Sequence, residues 1–423
     1  MTTNKRIIAE PNCDDDYDDS SLTPAAALER MLEGVSAVVA SETVPVLESL
    51  GRVLSSPIVS SIDVPAHRNS AMDGYAVRSQ DLPTSGTRDL SIVGTAFAGK
   101  PYQGTVRQHQ AVRIMTGAVV PDSTNVVVMQ EQATLDGDRI IIDERHKDGQ
   151  NVRAAGEDIL RGTTVLESGR IVVPADLGLI SSLGIGNVDV RRRTRVAFLS
   201  TGDELRAVGE PLGAGEIHDS NRYTLHGMLL RLGIEIIDLG VVRDEPSAVR
   251  DALSEAASRA DAIISSGGVS VGEADYIKEI LAEIGQVNFW KVAMKPGRPL
   301  AFGSIGKAIF FGLPGNPVSV MVTFYQFVQP TLLKIMGAES QTPLLFKATA
   351  ANVLKKRPGR TEYQRGFLSR GANGELLVAT ESDQGSGILS SMSNANCFVV
   401  LPLDSGRVEA GAVVDVQPFF GIM

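Results

Sequence analysis

The chain is poor in cysteine, in histidine and in long apolar runs, and each shortage excludes a class of protein. Only two of its 423 residues are cysteines, Cys13 and Cys397, which excludes a disulfide framework and predicts a cytoplasmic location. The five histidines and two cysteines show no ligand spacing, so a zinc site is not predicted. No apolar run reaches the ~18 residues of a membrane helix, and a signal-peptide core is not recognised at the start.

An excess of basic charge is also missing. Lys and Arg number 40 against 50 Asp and Glu, a net charge of −10, whereas a protein that coats nucleic acid needs a basic face. The sequence therefore predicts a protein that binds neither nucleic acid nor membrane. What is present is 43% hydrophobic residues with 42 glycines and 20 prolines, typical of a globular, loop-rich chain. At about 100–200 residues per domain, the length predicts two to four domains.

The pattern along the chain divides it into five parts. Residues 1–20 carry six acidic side chains against two basic ones, which predicts a disordered acidic tail. Residues 21–63 and 154–193 predict one discontinuous helical and extended domain, interrupted by an inserted β domain at residues 64–153. Residues 194–340 predict an α/β domain, and residues 341–423 predict a small C-terminal β-barrel, with a sandwich as the alternative.

Residues 194–337 show the clearest rhythm. Apolar runs at 195–199, 234–239 and 262–265 are each followed by a helical pattern, and a long helix is predicted at 317–336. Strands that alternate with helices at this spacing predict a doubly wound, mostly parallel sheet.

Polar and glycine-rich segments follow the predicted strands of this sheet. They are residues 200–204, 243–245, 265–270 and 312–317. Ligands of doubly wound sheets bind outside the carboxyl ends of the strands, so these segments predict the site. The dinucleotide fingerprint GxGxxG is absent, and residues 94–100 resemble a P-loop only until Pro101 replaces its metal-binding hydroxyl residue.

The glycine-rich loops and the helix that begins after Asn316 predict binding of a phosphate-bearing small molecule. Gly267 and Gly268 allow backbone N–H groups to approach an anion closely, and a helix N-terminus adds donors. For either loop alone, a tight turn without a ligand is the simpler interpretation.

Acidic and basic side chains occur at the same predicted edge. Glu204, Asp244 and Asp275 are hard oxygen ligands of the kind that suits Mg²⁺ with substrate phosphates, although Asp275 is equally placed to cap a helix. Lys291 and Lys295 interrupt an otherwise apolar segment and are four residues apart. A continuous strand would therefore direct both side chains to the same face. An enzyme that binds an oxyanion and a metal together needs basic side chains for the oxyanion and acidic side chains for the metal.

These segments resemble the molybdopterin molybdenumtransferase family, which comprises bacterial MoeA and the gephyrin E domain. The matching segments are residues 69–76, 113–118, 153 with 156–158, 200–205, 219–221, 265–275, 294–299 and 312–317. They follow the family's order, and the resemblance extends from about residue 21 to the C-terminus. One departure is Arg298, where the family often has Lys; a planar fork there replaces a point charge.

The resemblance implies an enzyme of molybdenum cofactor biosynthesis that acts on adenylylated molybdopterin and molybdate. The adenylate is hydrolysed with Mg²⁺, AMP leaves, and molybdenum enters the dithiolene. The resemblance also implies a homodimer, and contacts with other proteins of cofactor biosynthesis and with molybdoenzymes.

The resemblance further implies roles for individual residues, of which three, Glu204, Asp244 and Asp275, would bind metal. The implied catalytic residues are Asp275, Asp244, Glu204, Lys295, Lys291, Asp73 and Thr116. The implied substrate-binding residues are Gly267, Gly268, Ser270, Asp219, Ser220, Asn221, Pro314, Gly315, Asn316, Pro317, Arg153, Arg298, Arg365 and Ser386. Within the second set, Arg298, Arg365 and Ser386 resemble molybdate and phosphate contacts. Asp73, Thr116 and Arg153 belong to the insert, which in this family faces the other subunit's cleft.

Two alternatives remain open from the residues. One is a transferase or hydrolase that uses the same edge for ordinary nucleotides, and it predicts turnover without a pterin. The other is a non-enzymatic scaffold like that of the gephyrin E domain in animals. A scaffold does not need the charged cleft that Asp244, Asp275 and Lys295 predict.

Overall fold

The computed structural model describes residues 21–267, 275–339, 343–381 and 383–419, without the side chains of residues 275 and 276. Gly268 and Ser270 therefore lie outside the described residues, and so do residues 1–20. In the part of the chain described here, no helix is long and apolar enough to cross a membrane.

Residues 21–191 combine two short α-helices with small antiparallel strand pairs and one larger sheet. The elements are α1 (Pro24–Glu33), β1 (Ser41–Pro45), β2 (Ile58–Val59), β3 (Asn69–Ser70), β4 (Gly74–Val77), β5 (Thr87–Ala96), β6 (Gln110–Ile114), β7 (Val126–Met129), β8 (Thr134–Asp136), β9 (Arg139–Asp143), β10 (Val152–Arg153), β11 (Thr164–Leu166), α2 (Pro174–Ser182) and β12 (Asn187–Arg191). Helix α1 begins at Pro24, because the Thr23 hydroxyl accepts from the Ala26 N–H at 3.2 Å and a proline suits the first turn.

Strands from both sides of residues 64–153 pair with each other. β1 pairs with β12 and β2 pairs with β11, all antiparallel. Between them, six strands form a sheet of their own in the order β7-β4-β6-β5-β9-β8. Its two faces are closed by separate apolar clusters, one around Ile140 and the other around Ile114.

The middle of the chain builds the predicted doubly wound domain. Its elements are β13 (Arg195–Thr201), β14 (Leu205–Arg206), β15 (Ile217–His218), α3 (Ser220–Arg231), β16 (Glu235–Val242), α4 (Pro246–Arg259), β17 (Ala262–Ser266), α5 (Asp275–Ile284), β18 (Gly285–Lys291), β19 (Met294–Lys295), β20 (Pro299–Ile305), β21 (Ala308–Leu313), α6 (Pro317–Thr323) and α7 (Gln329–Ile335). The predicted long helix is α6 and α7 joined by a π-helical turn at Phe324–Val328.

The large sheet has the strand order β16-β13-β17-β21-β20-β18. β16, β13, β17 and β21 are parallel, and β20 is antiparallel to both of its neighbours, so β18 runs in the parallel direction. Side chains of β13 alternate between two cores: Phe198 packs with α3 and α6, and Leu199 packs with α4 and α5. A sheet covered by helices on both faces needs this near-continuous apolar sequence.

The last part of the chain forms the closed five-stranded β-barrel that the sequence predicted. Its elements are β22 (Phe346–Ala350), β23 (Thr361–Arg370), β24 (Leu376–Thr380), α8 (Leu389–Asn394), β25 (Cys397–Leu401) and β26 (Val413–Pro418). The order β23-β24-β22-β26-β25 closes because β25 also pairs with β23. The two-residue strand β19 adds to β23, with Lys295 opposite Glu362, and so joins the barrel to the α/β domain.

Candidate active site

The polar segments predicted from the sequence follow strands that point to one edge of the large sheet. β16, β13, β17, β21 and β18 all run in the same direction, so their carboxyl ends share that edge. Neighbouring strands lie about 4.8 Å apart, so the edge spans roughly 24 Å from β16 to β18. Asp244 follows β16 and Lys291 ends β18, which places them at opposite ends of this edge.

Asn221 connects three elements at the centre of the edge. Its side-chain amide donates to the Ser266 hydroxyl at 2.9 Å and to the Gly315 carbonyl at 2.6 Å. Asp219 caps the same helix, α3, by accepting from the Arg222 N–H at 3.1 Å. These bonds hold the start of α3 against the end of β17 and against the loop that follows β21.

Four buried oxygens at this edge have no hydrogen-bond partner among the described residues: Ser200 Oγ, Thr201 Oγ1, Asp219 Oδ2 and Asn221 Oδ1. Ser200 lies opposite Ser266 in the sheet, so its hydroxyl is next to the Asn221 contact. Buried polar atoms without partners are rare in native proteins and cost about 1–3 kcal/mol each. The group therefore indicates a place where a polar ligand supplies the missing bonds.

Ser200 and Thr201 are functional candidates that the sequence-based set omitted. The sequence shows two hydroxyl residues at the end of a buried strand. The alternation of side chains along a strand does not reveal that both hydroxyls lack hydrogen-bond partners among the described residues. Ser220, the first residue of α3, was predicted, and its backbone carbonyl accepts from Thr224 within the helix at 3.0 Å.

Gly267 is a glycine because both its backbone and its surroundings require one. Its φ of +93° lies in the left-handed region, and a Cβ there would lie 2.6 Å from the Thr201 carbonyl oxygen. Gly315 is different, since no atom of the described residues lies within 4 Å of a Cβ at that position. Gly267 is thus required by its turn against Thr201, whereas Gly315 contributes a carbonyl to Asn221.

One backbone N–H group at the start of α6 is already hydrogen-bonded within the chain. Pro317 is its first residue, and Asn316 at the cap position makes no side-chain capping bond. The Val318 N–H donates to the Ser386 carbonyl at 3.1 Å, which fixes a loop of the barrel on the helix start. Pro314, which precedes this turn, is buried.

The basic residues predicted for the edge occupy separate places. Lys295 is exposed on β19, and Arg298 is half-buried in the turn before β20. Lys291 ends β18, so it does not share a strand with Lys295, and it borders a shallow pocket with Leu22, Arg30, Phe289 and Trp290. The one-face argument from the four-residue spacing therefore does not apply to Lys291 and Lys295.

Arg365 of the barrel is buried, and three of its five N–H groups have partners within the chain. Nε donates to the Ser391 hydroxyl at 2.9 Å, Nη1 to the Gln384 carbonyl at 3.0 Å and Nη2 to the Gly385 carbonyl at 2.9 Å. Burial lowers the pKa of Arg365, but an arginine remains protonated at neutral pH. The other two N–H groups have no hydrogen-bond partner among the described residues.

Asp73 lies directly before β4, Thr116 lies in the turn after β6, and Arg153 lies on β10. Asp73 Oδ1 accepts from the Thr116 N–H at 2.7 Å and from the Thr116 hydroxyl at 2.8 Å. These two bonds, the backbone one first, lower the pKa of Asp73 below its ordinary value, so the carboxylate is ionised at neutral pH. Arg153 is exposed on β10 opposite Asn69. None of the contacts recorded for Asp73 and Thr116 within the described residues reaches the large sheet.

The three carboxylates predicted to bind metal do not form a cluster among the described residues. Glu204 and Asp244 follow neighbouring strands, β13 and β16, and are exposed. The side chain of Asp275 lies outside the described residues, and no group of three potential metal ligands occurs within them. Two carboxylates at adjacent strand ends are nevertheless the usual protein share of a Mg²⁺ site that is completed by substrate phosphates.

Three family models match the chain in succession. "MoeA N-terminal region (domain I and II)" matches residues 22–184 and "Probable molybdopterin binding domain" matches residues 197–334. "MoeA C-terminal region (domain IV)" matches residues 347–419.

Similar proteins cover nearly the whole chain. The molybdopterin molybdenumtransferase of Haemophilus influenzae is 47% identical over 400 residues, which are 94% of this chain and 98% of that protein. The protein of the same name from Nostoc sp. is 37% identical over 379 residues, 88% of this chain and 87% of its own. The crystal structure of the molybdopterin biosynthesis moeA protein from Pyrococcus horikoshii OT3 has a TM-score of 0.83 at 29% identity, covering 94% of this chain and 100% of that chain.

Proposed function

The chain belongs to the MoeA family of molybdopterin molybdenumtransferases, and from this premise we propose how its residues carry out the reaction. It is a transferase that acts in molybdenum insertion during molybdenum cofactor biosynthesis. The proposed substrates are adenylylated molybdopterin and molybdate. Water cleaves the phosphoanhydride to give AMP and the phosphate of molybdopterin. The two dithiolene sulfurs then bind molybdenum as one oxygen of molybdate leaves as water with the two thiol protons.

The observation that carries this proposal is the group of partnerless oxygens at the carboxyl edge of the large sheet. Ser200, Thr201, Asp219 and Asn221 offer hydroxyl, carboxylate and amide oxygens that lack partners among the described residues. Hydroxyls bind phosphate oxygens, and acceptor oxygens bind the N–H groups of a pterin. An adenylylated pterin carries both kinds of group, so it matches this edge better than a simple anion does.

Molybdate, the oxyanion substrate, is proposed to bind between the barrel and β19. Lys295 and Arg298 supply positive charge there, and Arg365 has two N–H groups left for an anion. Bidentate guanidinium donors suit a tetrahedral oxyanion such as molybdate. Ser386 lies on the loop that Arg365 holds.

Glu204 and Asp244, with Asp275, are proposed to hold Mg²⁺ at the β13 and β16 end of the edge. The bound ion would neutralise phosphate charge that develops as AMP leaves. One of these carboxylates would orient the attacking water.

The insert, proposed as residues 64–153, would complete the cleft of a second subunit. In this arrangement the partner subunit's Asp73, the partner subunit's Thr116 and the partner subunit's Arg153 reach the edge described above. The proposal is supported by the ionised Asp73, which has no recorded contact with the large sheet of its own chain within the described residues.

Release of AMP tests the proposed reaction. Purified chain is incubated with adenylylated molybdopterin, molybdate and Mg²⁺, and AMP is measured by chromatography. We expect AMP release that needs all four components, that EDTA abolishes and that added Mg²⁺ restores. AMP no higher than in a protein-free control would overturn the proposal, and equal turnover of ordinary nucleotides without pterin would favour a nucleotide hydrolase instead.

A further inference from the structure

Gln384 pairs with Arg365 as though it were a residue of a neighbouring strand. The Arg365 N–H donates to Gln384 Oε1 at 2.9 Å, and Gln384 Nε2 donates to the Arg365 carbonyl at 3.2 Å. β24 pairs with β23 only from Gly366 onward, so the backbone of Arg365 has no strand partner on that side. The amide of Gln384 takes that place.

The side chain of Arg365 returns to the same loop. Its guanidinium donates to the backbone carbonyls of Gln384 and Gly385, at 3.0 and 2.9 Å. The backbone of Arg365 is thus bonded to the side chain of Gln384, and its guanidinium is bonded to the backbone carbonyls of residues 384 and 385. Arg365 itself is only 2% exposed, so these bonds form in a low-dielectric environment where they are strong.

The loop held in this way also reaches the α/β domain. The next residue, Ser386, accepts from the Val318 N–H at the start of α6. Displacement of the loop would therefore move three things together: the guanidinium of Arg365, Ser386 and the contact of the barrel with the sheet edge. Gln384 is the only side chain that pairs with the Arg365 backbone among the described residues.

We propose that Gln384 is a positioning residue for the oxyanion substrate, which it serves by fixing the direction of the two remaining N–H groups of Arg365. The inference rests on the proposed function, in which Arg365 binds molybdate. Groups that orient a binding side chain typically change affinity about 10- to 100-fold when they are removed. Gln384 need not touch the substrate to have this effect.

The barrel contains two matched controls. Asn352 pairs with the Thr380 backbone through two bonds of 3.0 Å, and Asn396 pairs with the Leu368 backbone at 2.7 and 2.9 Å. Both are half-buried amides bonded to both backbone groups of one residue, like Gln384, but neither is bonded to Arg365 or to residues 384–386. Loss of any of the three amides should lower stability to a similar extent.

The test compares Gln384→Ala, Asn352→Ala and Asn396→Ala in the AMP-release assay and in calorimetric titration with molybdate alone. We expect Gln384→Ala to raise KM and Kd for molybdate roughly tenfold, with kcat and KM for the adenylylated pterin within about twofold of wild type. The two asparagine variants should keep the wild-type KM and Kd. If Gln384→Ala does not fold, Gln384→Met keeps the chain length without the amide.

The possible outcomes separate the inference from the proposed function. If all three variants leave molybdate affinity unchanged, or shift it equally, Gln384 has only a structural role and the inference is wrong. A fall in kcat at unchanged KM and Kd for molybdate would also overturn it. If the wild-type chain neither binds molybdate nor shows saturation by it, the proposed function fails, and the inference fails with it.

Discussion

Asn221 provides a sharp test of how the sheet edge is assembled, because from one helix it bonds both the end of β17 and the loop that follows β21. In Asn221→Ala, the Ser266 hydroxyl and the Gly315 carbonyl both lose a donor. Ser266 is 2% exposed, so its hydroxyl has little access to water, whereas Gly315 is exposed and can be hydrated. At about 1 kcal/mol for each bond, we expect a loss of about 2 kcal/mol.

A loss of this size is measurable by thermal unfolding. At about 2–4 °C per kcal/mol for a domain of 150–250 residues, Tm should fall by roughly 4–8 °C. Activity should fall further than stability explains, because Asn221 also carries a partnerless oxygen at the proposed site. We expect kcat/KM for adenylylated molybdopterin to fall about 100-fold, which corresponds to roughly 2.7 kcal/mol of transition-state stabilisation.

Two variants make the result specific. Asn221→Asp keeps the acceptor oxygen, and the Ser266 hydroxyl can turn to donate to it, but the Gly315 carbonyl still loses its donor. It should therefore retain more activity than Asn221→Ala. Thr224→Ala removes a side-chain bond to the Ser220 carbonyl in the same helix without touching either loop, and it should behave like wild type. If Asn221→Ala melts like Thr224→Ala and keeps kcat/KM within a factor of two, the edge is not held by Asn221 and the reasoning is refuted.

Three further predictions concern other parts of the chain. Burial raises the pKa of the Cys397 thiol to about 12, so in a Cys13→Ser background no thiol should react with Ellman's reagent at pH 8 until denaturant is added; reaction in native buffer would contradict the burial. Since bonds from Thr116 lower the pKa of Asp73, its contribution to stability is present above the unfolded-state pKa and is lost as the pH falls through the lowered value. Thr116→Val should raise that pKa, as followed by carboxyl ¹³C NMR, and an unchanged titration would show that the hydroxyl bond is immaterial. If subunits share sites, Asp73→Asn and Lys295→Ala should each be nearly inactive, yet refolding them together should restore about one quarter of wild-type activity, since about half of the dimers are mixed and each has one intact site. Mixed dimers confirmed by mass but without activity would reject the shared site.

The order of strands and helices was largely readable from the sequence. Strand β13 is an uninterrupted apolar run because both faces of the sheet are covered, and Thr23 with Pro24 marks the start of α1 by local chemistry alone. The barrel followed from short strands separated by turns. These features depend on neighbours within a few residues, and such interactions leave a pattern in the local sequence.

The sequence predicted that the polar segments share one edge of the sheet, which the strand directions confirm, but it did not predict their arrangement along that edge. The rule that ligands bind at the carboxyl ends of strands brought Glu204, Gly267 and Gly315 to one edge. The same rule gives no distances along that edge, so Lys291 and Asp244 were grouped although five strand intervals separate them. Strand order is set by long-range pairing, which is absent from a local pattern.

The sequence by itself indicated the main strands and helices of the α/β domain and which edge of its sheet carries the polar loops, because these features depend on residues close together in the chain. Only the tertiary structure decided that the hydroxyls of Ser200 and Thr201 lack partners among the described residues, that Asn221 reaches Gly315, and that Gln384 holds Arg365. The two hydrogen bonds join residues that are 19 and 94 positions apart. The unpaired hydroxyls can be recognised only when the surroundings of each oxygen are known. Both kinds of feature exist only after apolar surfaces have packed, since packing alone brings distant polar groups within bonding distance and excludes water from them.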